Sequence, residues 1–373
     1  MSLAETFLHI FPPPRFLSMP AVGIDISDHS IRFIELIPGS KGFSVGAFGS
    51  RNLPAGIVEK GAIVKRADLV TILKKLRREY GFRFVRASLP EEKGYLFVAE
   101  VPPVSYREAR GLIQFKLEEN VPLKPTEAVY DIDVVCRSED KNAKKHDVVV
   151  SVFPSAIIES YTSLFYESGF VPLSLEIEAQ AIARCVVPRA ERGTIMVVDF
   201  GATRSGISIV SSGVVHYTTT VEIGGDALTA AIHKHLPHAA EKEIDALKNE
   251  HGIRGDAKNR ELFSLMMNTV SSLRDEINRH YIYWHTHTES PAPSAAAHRP
   301  PAIERIILCG GSANLAGLPE YLAVSLKVPV ARGNVWGNVL SIERGIPPIE
   351  YAASLGFAPA IGLALHTDEK ESL

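Results

Sequence analysis

Cysteine is scarce: three thiols, Cys136, Cys185 and Cys309, stand far apart in apolar surroundings. An odd, scattered set excludes a disulfide framework and a cysteine metal site; reduced core thiols in the cytoplasm are the natural reading. Long apolar runs are missing too, none reaching the roughly 18 residues of a membrane span. The N-terminus lacks a charged region followed by an apolar core and a small-residue cleavage site, so export is not expected. Excess charge is absent: 40 Lys and Arg against 43 Asp and Glu leave a net charge of -3, without the basic stripe that nucleic acid requires. What remains is ordinary globular composition, 46% hydrophobic and 22% charged, in a chain of 373 residues. That length is too great for one simple core and predicts two or more lobes.

The stretch that organises the rest is residues 194–210, TIMVVDFGATRSGISIV. It reads as a buried strand, an acid at the strand end (Asp199), a tight turn with glycine at both ends, and a second strand. Glycine permits positive φ and close approach of a ligand, and the N–H groups of such a turn can face one anion. Asp199 stands where it could hold Mg²⁺ through water, because Mg²⁺ gives up its waters reluctantly. The same pattern also suits an ordinary hairpin. Residues 21–37, AVGIDISDHSIRFIELI, repeat the plan, with Asp25 at the strand end and a polar turn behind it. Two such units point to a duplicated lobe, each half offering one phosphate-facing turn.

Along the chain, residues 1–20 form a proline-rich lead-in with an apolar patch at Phe7, Leu8, Ile10 and Phe11. Residues 43–53 read as a strand, 68–80 as a helix closed by Gly81, and 82–89 as a strand. From 95 to 177 the order is βαββαβ, its first helix opened by a capping box, Ser105-x-x-Glu108. The charged loop at 138–146 is a solvated hairpin tip. This unit reads as a subdomain inserted between the two Asp-turn halves. Glu178 begins the helix that crosses to the second lobe. Then come a glycine turn at Gly224 and Gly225, a polar helix over 241–250 with Asp245 and Lys248 on one face, a long amphipathic helix over 261–284, and a Pro/Ala-rich loop over 290–301. His233, His235, His238, His285 and His287 lack a convergent carboxylate or cysteine and read as polar surface. Finally Gly310, Gly311 and Ser312 make a strand-to-helix turn whose amides suit the polar edge of a nucleotide.

Two Asp-turns and a late Gly-Gly turn, in this order, resemble the phosphate-one, phosphate-two and adenosine motifs of the actin-like ATPase superfamily. Nearly the whole chain is similar to one branch, the PilM family of type IV pilus assembly proteins, related to the cell-division protein FtsA. GIDISDHSIRFIEL, DFGATRSGISIV and ILCGGSANLAGLPEYLAVSLKVPV carry the three motifs; Gly224-Gly225-Asp226, Asp245-x-x-Lys248 and Asn334-Val-Trp-Gly-Asn338 match as well. The resemblance implies an α/β chain with the actin-like (ribonuclease H-like) duplicated two-lobed fold. A lead-in at 1–20 precedes lobe I at 21–93, the FtsA/PilM-type βαββαβ insert at 94–177, and the rest of the nucleotide core at 178–373. It further implies ATP and Mg²⁺ in the interlobe cleft. Asp25 and Asp199 would face the metal; the turns of Ser27, Asp28 and Ser30 and of Gly201, Ala202 and Thr203 would grip phosphate, with Gly225 nearby. Asp245 and Lys248 would lie against ribose and adenine, with Gly310, Gly311, Ser312 and Asn314 across the base. Glu178 matches the acid that orients water in active relatives, although an acid at a helix start also serves the dipole alone.

Two departures from the motif pattern matter. Ser27 and Asp28 replace a glycine and a small hydroxyl residue, and Arg204-Ser205-Gly206 replaces Thr-Thr-Asp. A carboxylate beside phosphate repels it, and Arg204 is the residue placed to offset Asp28. ATP binding is therefore expected to be more secure than hydrolysis. The implied role is a cytoplasmic adaptor that binds the tail of the inner-membrane protein PilN, links it to the pilus motor ATPases, and meets the membrane only through that partner. A small-molecule kinase or a filament former on the same fold is the alternative.

Overall fold

The computed structural model describes residues 19–39, 42–135, 146–254, 260–287, 301–340 and 346–366. The lead-in over 1–18, Cys136, the hairpin tip and nearly all of the loop over 290–301 lie outside the described residues.

The chain opens as an antiparallel meander of β1 (Ala21–Ile26), β2 (Ser30–Gly39) and β3 (Gly42–Asn52). A small ladder of β4 (Val58–Glu59) and β5 (Ala62–Ile63) follows. Helix α1 (Arg66–Tyr80) buries Leu69, Leu73 and Leu76, one stripe at helical spacing. Gly81, at φ +72°, ends it and donates its N–H to Arg77 O. The chain then returns as β6 (Phe84–Leu89), parallel to β1.

Next come β7 (Tyr95–Val101), α2 (Tyr106–Asn120), β8 (Ala128–Val135) and β9 (His146–Pro154). These strands form a separate sheet in the order β7-β9-β8. Ala109, Ile113 and Leu117 of α2 pack on Val148, Val150 and Val152 in a core of their own. The expected capping box is present: Ser105 and Glu108 exchange hydrogen bonds at the start of α2.

The expected βαββαβ unit divides differently. Helix α3 (Ser155–Glu167) packs on α1, where Arg66 grips Glu167 at 2.9 Å, and β10 (Val171–Ile177) lies parallel beside β6. Only βαββ stands apart from the lobe. The reason is burial: Phe165 and Phe170 are almost fully buried within the core of lobe I.

After α4 (Glu178–Val186), the plan of lobe I is drawn again. A meander of β11 (Thr194–Phe200), β12 (Ser205–Ser211) and β13 (Val214–Val221) is followed by helices α5 (Gly225–His235), α6 (Glu241–Ala246) and α7 (Arg260–His287). Then come β14 (Ile303–Cys309), α8 (Leu318–Leu326) and β15 (Val330–Arg332). The two sheets run β10-β6-β1-β2-β3 and β15-β14-β11-β12-β13, with the same parallel and antiparallel pairings place for place. The duplicated two-lobed plan is thus as expected.

The short helix α9 (Tyr351–Ser354) leads to α10 (Ala358–Ala364), which lies on β1, β2 and α4. That contact leaves no room for side chains. A Cβ on Gly23 would come 2.1 Å from Ala360 O, and one on Gly362 1.7 Å from Ala181 O. Asn338 donates to Arg184 O and Val187 O at the end of α4, satisfying carbonyls that a helix terminus leaves open.

Candidate functional site

Each central strand ends in an acid at the same face. Asp25 closes β1, where Ser88 Oγ from the parallel neighbour β6 donates to its Oδ1 at 2.7 Å. Asp199 closes β11, with Cys309 Sγ from β14 3.8 Å from its Oδ1. Ligands in open α/β sheets lie beyond the carboxyl ends of parallel strands, and here two such ends face each other. Between them is a cleft of about 990 Å³. Every residue that the resemblance assigned to nucleotide or metal lines it: Asp25, Ser27, Asp28, Ser30, Glu178, Asp199, Gly201, Ala202, Thr203, Gly225, Asp245, Lys248, Gly310, Gly311, Ser312 and Asn314.

The acids at the floor of the cleft are short of compensating charge. Burial raises Asp25, against the Ser88 hydrogen bond and the attraction of Arg32 and Arg204. Burial and then repulsion from Asp25 raise Asp199 to about 6. Glu178, at the start of α4, is pushed well above the carboxylate range by burial and by Asp25, Asp199 and Glu91. Glu91 rises to about 8 for the same first reason, although it accepts a hydrogen bond from Thr218. Such a set would be relieved by a cation, so these residues fit Mg²⁺. Among the described residues no three acidic, histidine or cysteine side chains converge as direct metal ligands, so a cation here would keep most of its waters.

The two turns differ from expectation in one respect. Neither Gly201 nor Gly206 has positive φ, and Ser27 adopts its turn without positive φ either. Gly201 is needed for room instead: a Cβ there would meet Arg204 O at 2.8 Å. The N–H of Ser27 goes to Ser30 O at 2.9 Å and that of Gly201 to Arg204 O at 3.1 Å, closing each turn on itself. The positive φ appears at the third turn, at Gly310 (+85°), where a Cβ would strike Asp199 Oδ1 at 2.4 Å.

On the other wall, three segments zip together. Gly225 N–H and Ser312 Oγ both donate to Gly201 O, at 3.0 and 2.9 Å, and Asp226 N–H donates to Ala202 O at 2.8 Å. Lys248 Nζ lies 2.7 Å from Asp245 Oδ1 and 2.9 Å from Thr229 Oγ1. The expected helix over 241–250 is present, wound as α over α6 and as a π-type turn over Leu247–His251, and Lys248 lines the cleft. Arg332 ties the carbonyls of Ala313 and Asn314 at 3.0 and 3.3 Å, and Asn314 Nδ2 reaches Ala352 O at 2.7 Å.

Sequence reasoning missed Glu91, Glu92 and Arg32. Glu91 and Glu92 sit in an Glu-Glu-Lys-Gly run that looks solvated, yet Glu91 is 8% exposed. Of the ion pairs that cross the cleft, the sequence pointed only to that of Arg204 with Asp28. Arg204 reaches Asp28 at 3.2 Å and Glu92 at 2.8 Å; His29 lies 2.8 Å from Asp226; Lys60 meets Glu222. The histidines stand apart from this site, with His235 3.5 Å from Glu261 and His285 against Tyr281.

Comparison with known proteins agrees with this geometry. A family model described as type IV pilus assembly protein PilM matches residues 23–368. Among solved structures, the fold is similar to that in the PilM-PilN type IV pilus biogenesis complex, with a TM-score of 0.74 and 21% identity over 93% of this chain and 98% of that chain. It is similar to the ethanolamine utilization protein EutJ from Carboxydothermus hydrogenoformans (TM-score 0.53, 14% identity, 95% of this chain and 90% of that one). MreB5 of Spiroplasma citri, bound to AMPPNP, gives a TM-score of 0.52 and 12% identity, covering 92% of this chain and 94% of that one. With that match running from β1 past α10, the chain belongs to the type IV pilus assembly protein PilM family and carries the actin-like ATPase fold.

Proposed function

We propose that this chain is a nucleotide-binding adaptor of the type IV pilus assembly platform, taking ATP in the interlobe cleft and the cytoplasmic tail of a PilN-like inner-membrane protein on its surface. One observation carries the nucleotide half: two Asp-bearing turns and the Gly310–Gly311 turn, far apart in sequence, line a single cleft between matching sheets. In that reading Asp25 and Asp199 hold Mg²⁺ through water, which neutralises phosphate charge when bound. The turns at Ser27 to Ser30 and Gly201 to Thr203 face the phosphates. Among the described residues the amides of Asp28, His29, Ala202 and Thr203 have no hydrogen-bond acceptor, which suits that use. Lys248 and Asp245 lie toward the sugar and base, opposite Gly310 to Asn314. A nucleotide-bound MreB5 of similar fold supports the choice of ligand.

The partner half rests on family membership and on the likeness to a PilM-PilN complex; it favours the adaptor over a kinase. No described helix is long and apolar enough to cross a membrane, so attachment to the cytoplasmic face of the inner membrane would run through the partner, as would any link to the pilus motor ATPases. Turnover is slow in this reading. Burial, and then Asp25, Asp199 and Glu91, push the Glu178 carboxyl well above its ordinary range, which disfavours the charged form that a general base toward water needs.

The test combines titration and capture. Calorimetry with MgATP should show one site per chain that D199A abolishes, while a synthetic PilN-type tail peptide retains the protein with MgATP present. Rapid ATP consumption that depends on a small-molecule acceptor, with no tail captured, would replace the adaptor by a kinase.

A further inference from the structure

The cross-cleft contacts of Arg204 carry a conclusion about how the site is controlled, and it rests on the nucleotide reading above. The Arg204 guanidinium lies between two acids of the opposite lobe, with Nη1 3.2 Å from Asp28 Oδ2 and 2.8 Å from Glu92 Oε1. The three side chains are 19%, 12% and 20% exposed, so water screens them less than a surface pair. Asp28 is also the acceptor for Thr203 Oγ1 at 3.2 Å and for Gly61 N–H at 3.3 Å. A guanidinium, a threonine hydroxyl and a backbone amide are the donors a phosphate oxygen takes. Asp28 therefore occupies them as a built-in anion, at the turn expected to face phosphate.

We propose that Arg204 is a phosphate-recognition residue held in reserve: Asp28 and Glu92 keep it across the cleft, and a nucleotide polyphosphate takes it by displacing Asp28. The device makes nucleotide binding and this interlobe clasp compete for one cation. Nucleotide affinity is lowered by the strength of the clasp, and occupancy frees Asp28 and Glu92. Glu92 lies in the turn Glu91–Lys93 directly before β7, the first strand of the inserted unit. The loss of its partner is thus delivered to the base of that unit.

The experiment uses the full chain in three forms, wild type, D28S and D28S/R204A, with D28N as a second variant of the same charge. Calorimetric titration with MgATP should show D28S and D28N binding at least about tenfold tighter than wild type, the scale of one charge-assisted hydrogen bond. Adding R204A should erase the gain. Hydrogen exchange without nucleotide should show the amides of 201–206 and 91–94 opening faster in D28S than in wild type. Unchanged or weaker MgATP binding by both Asp28 variants would overturn the proposal, as would a gain that survives R204A. Failure of every form to bind MgATP would instead remove the nucleotide reading, and with it the competition. The exchange data would then still show whether Arg204 holds the lobes together.

Discussion

Glu91 combines two conditions that a carboxyl does not tolerate together, burial and the company of other acids. Its folded pKa of about 8 lies above the ordinary value of 4.5, so the folded protein holds a proton that the unfolded chain releases. Stability from that proton is complete below about pH 4.5 and is lost as pH rises toward about 8. Asp199 acts with the same sign between 3.8 and about 6. The thermal midpoint of the nucleotide-free protein should accordingly fall across this range. E91Q should flatten the fall and raise the midpoint by a few degrees near pH 8, with little gain near pH 4.5, read by scanning calorimetry at both. A second residue-scale expectation concerns Gly310. Alanine there meets a left-handed backbone and the Asp199 carboxylate at 2.4 Å, and G310A should cost at least about 2 kcal/mol in urea unfolding. The acids at strand ends were legible because a strand ending in Asp before a turn is a local pattern. The Arg204–Asp28 pair, 176 positions apart, showed only because both residues depart from their motifs; Glu91, Glu92 and the His29–Asp226 pair were not legible, since nothing local marks a charge whose partner is remote in sequence.

Elements tell a similar story about what a sequence exposes. Helix α1, its glycine stop and the α2 capping box are written in adjacent residues, and they stand where their spacing placed them. The extent of the insert was misread because α3 and β10 follow β9 without a break, and a strand does not announce the sheet it joins. Pairing with β6 over 84–89 is decided by burial at long range. The polar run over 241–250 also kept its change of winding at Leu247 hidden, since Ile244 and Leu247 suit one continuous α-helix. The independent core of β7, α2, β8 and β9 gives a test. L117A removes a fully buried side chain there and should cost about 2–5 kcal/mol. Hydrogen exchange should show α2 and its sheet loosening while β1, β6, β11 and β14 keep their protection.

At the scale of the whole molecule, the lobes are joined by unlike fastenings on the two sides of the cleft. His29–Asp226 and Lys60–Glu222 are exposed pairs, each about half exposed or more, and such pairs contribute about 0–1 kcal/mol and weaken in salt. Small-angle scattering of the nucleotide-free protein should therefore show a larger radius of gyration in about 1 M salt, where the screening length falls to about 3 Å. H29A/K60A/R204A, which also releases the Arg204 clasp, should reach that expanded state at low salt. The other fastening is α4 against α10, pressed so closely at Gly362 and Ala181 that backbone meets backbone. A joint of this kind slides poorly but can tilt, and that makes it a fulcrum with a long arm. A small rocking at Gly362 becomes a wide swing at the rim where Lys60 and Glu222 meet. One methyl group at position 362, 1.7 Å from Ala181 O, would force the two helices apart and take the fulcrum with it.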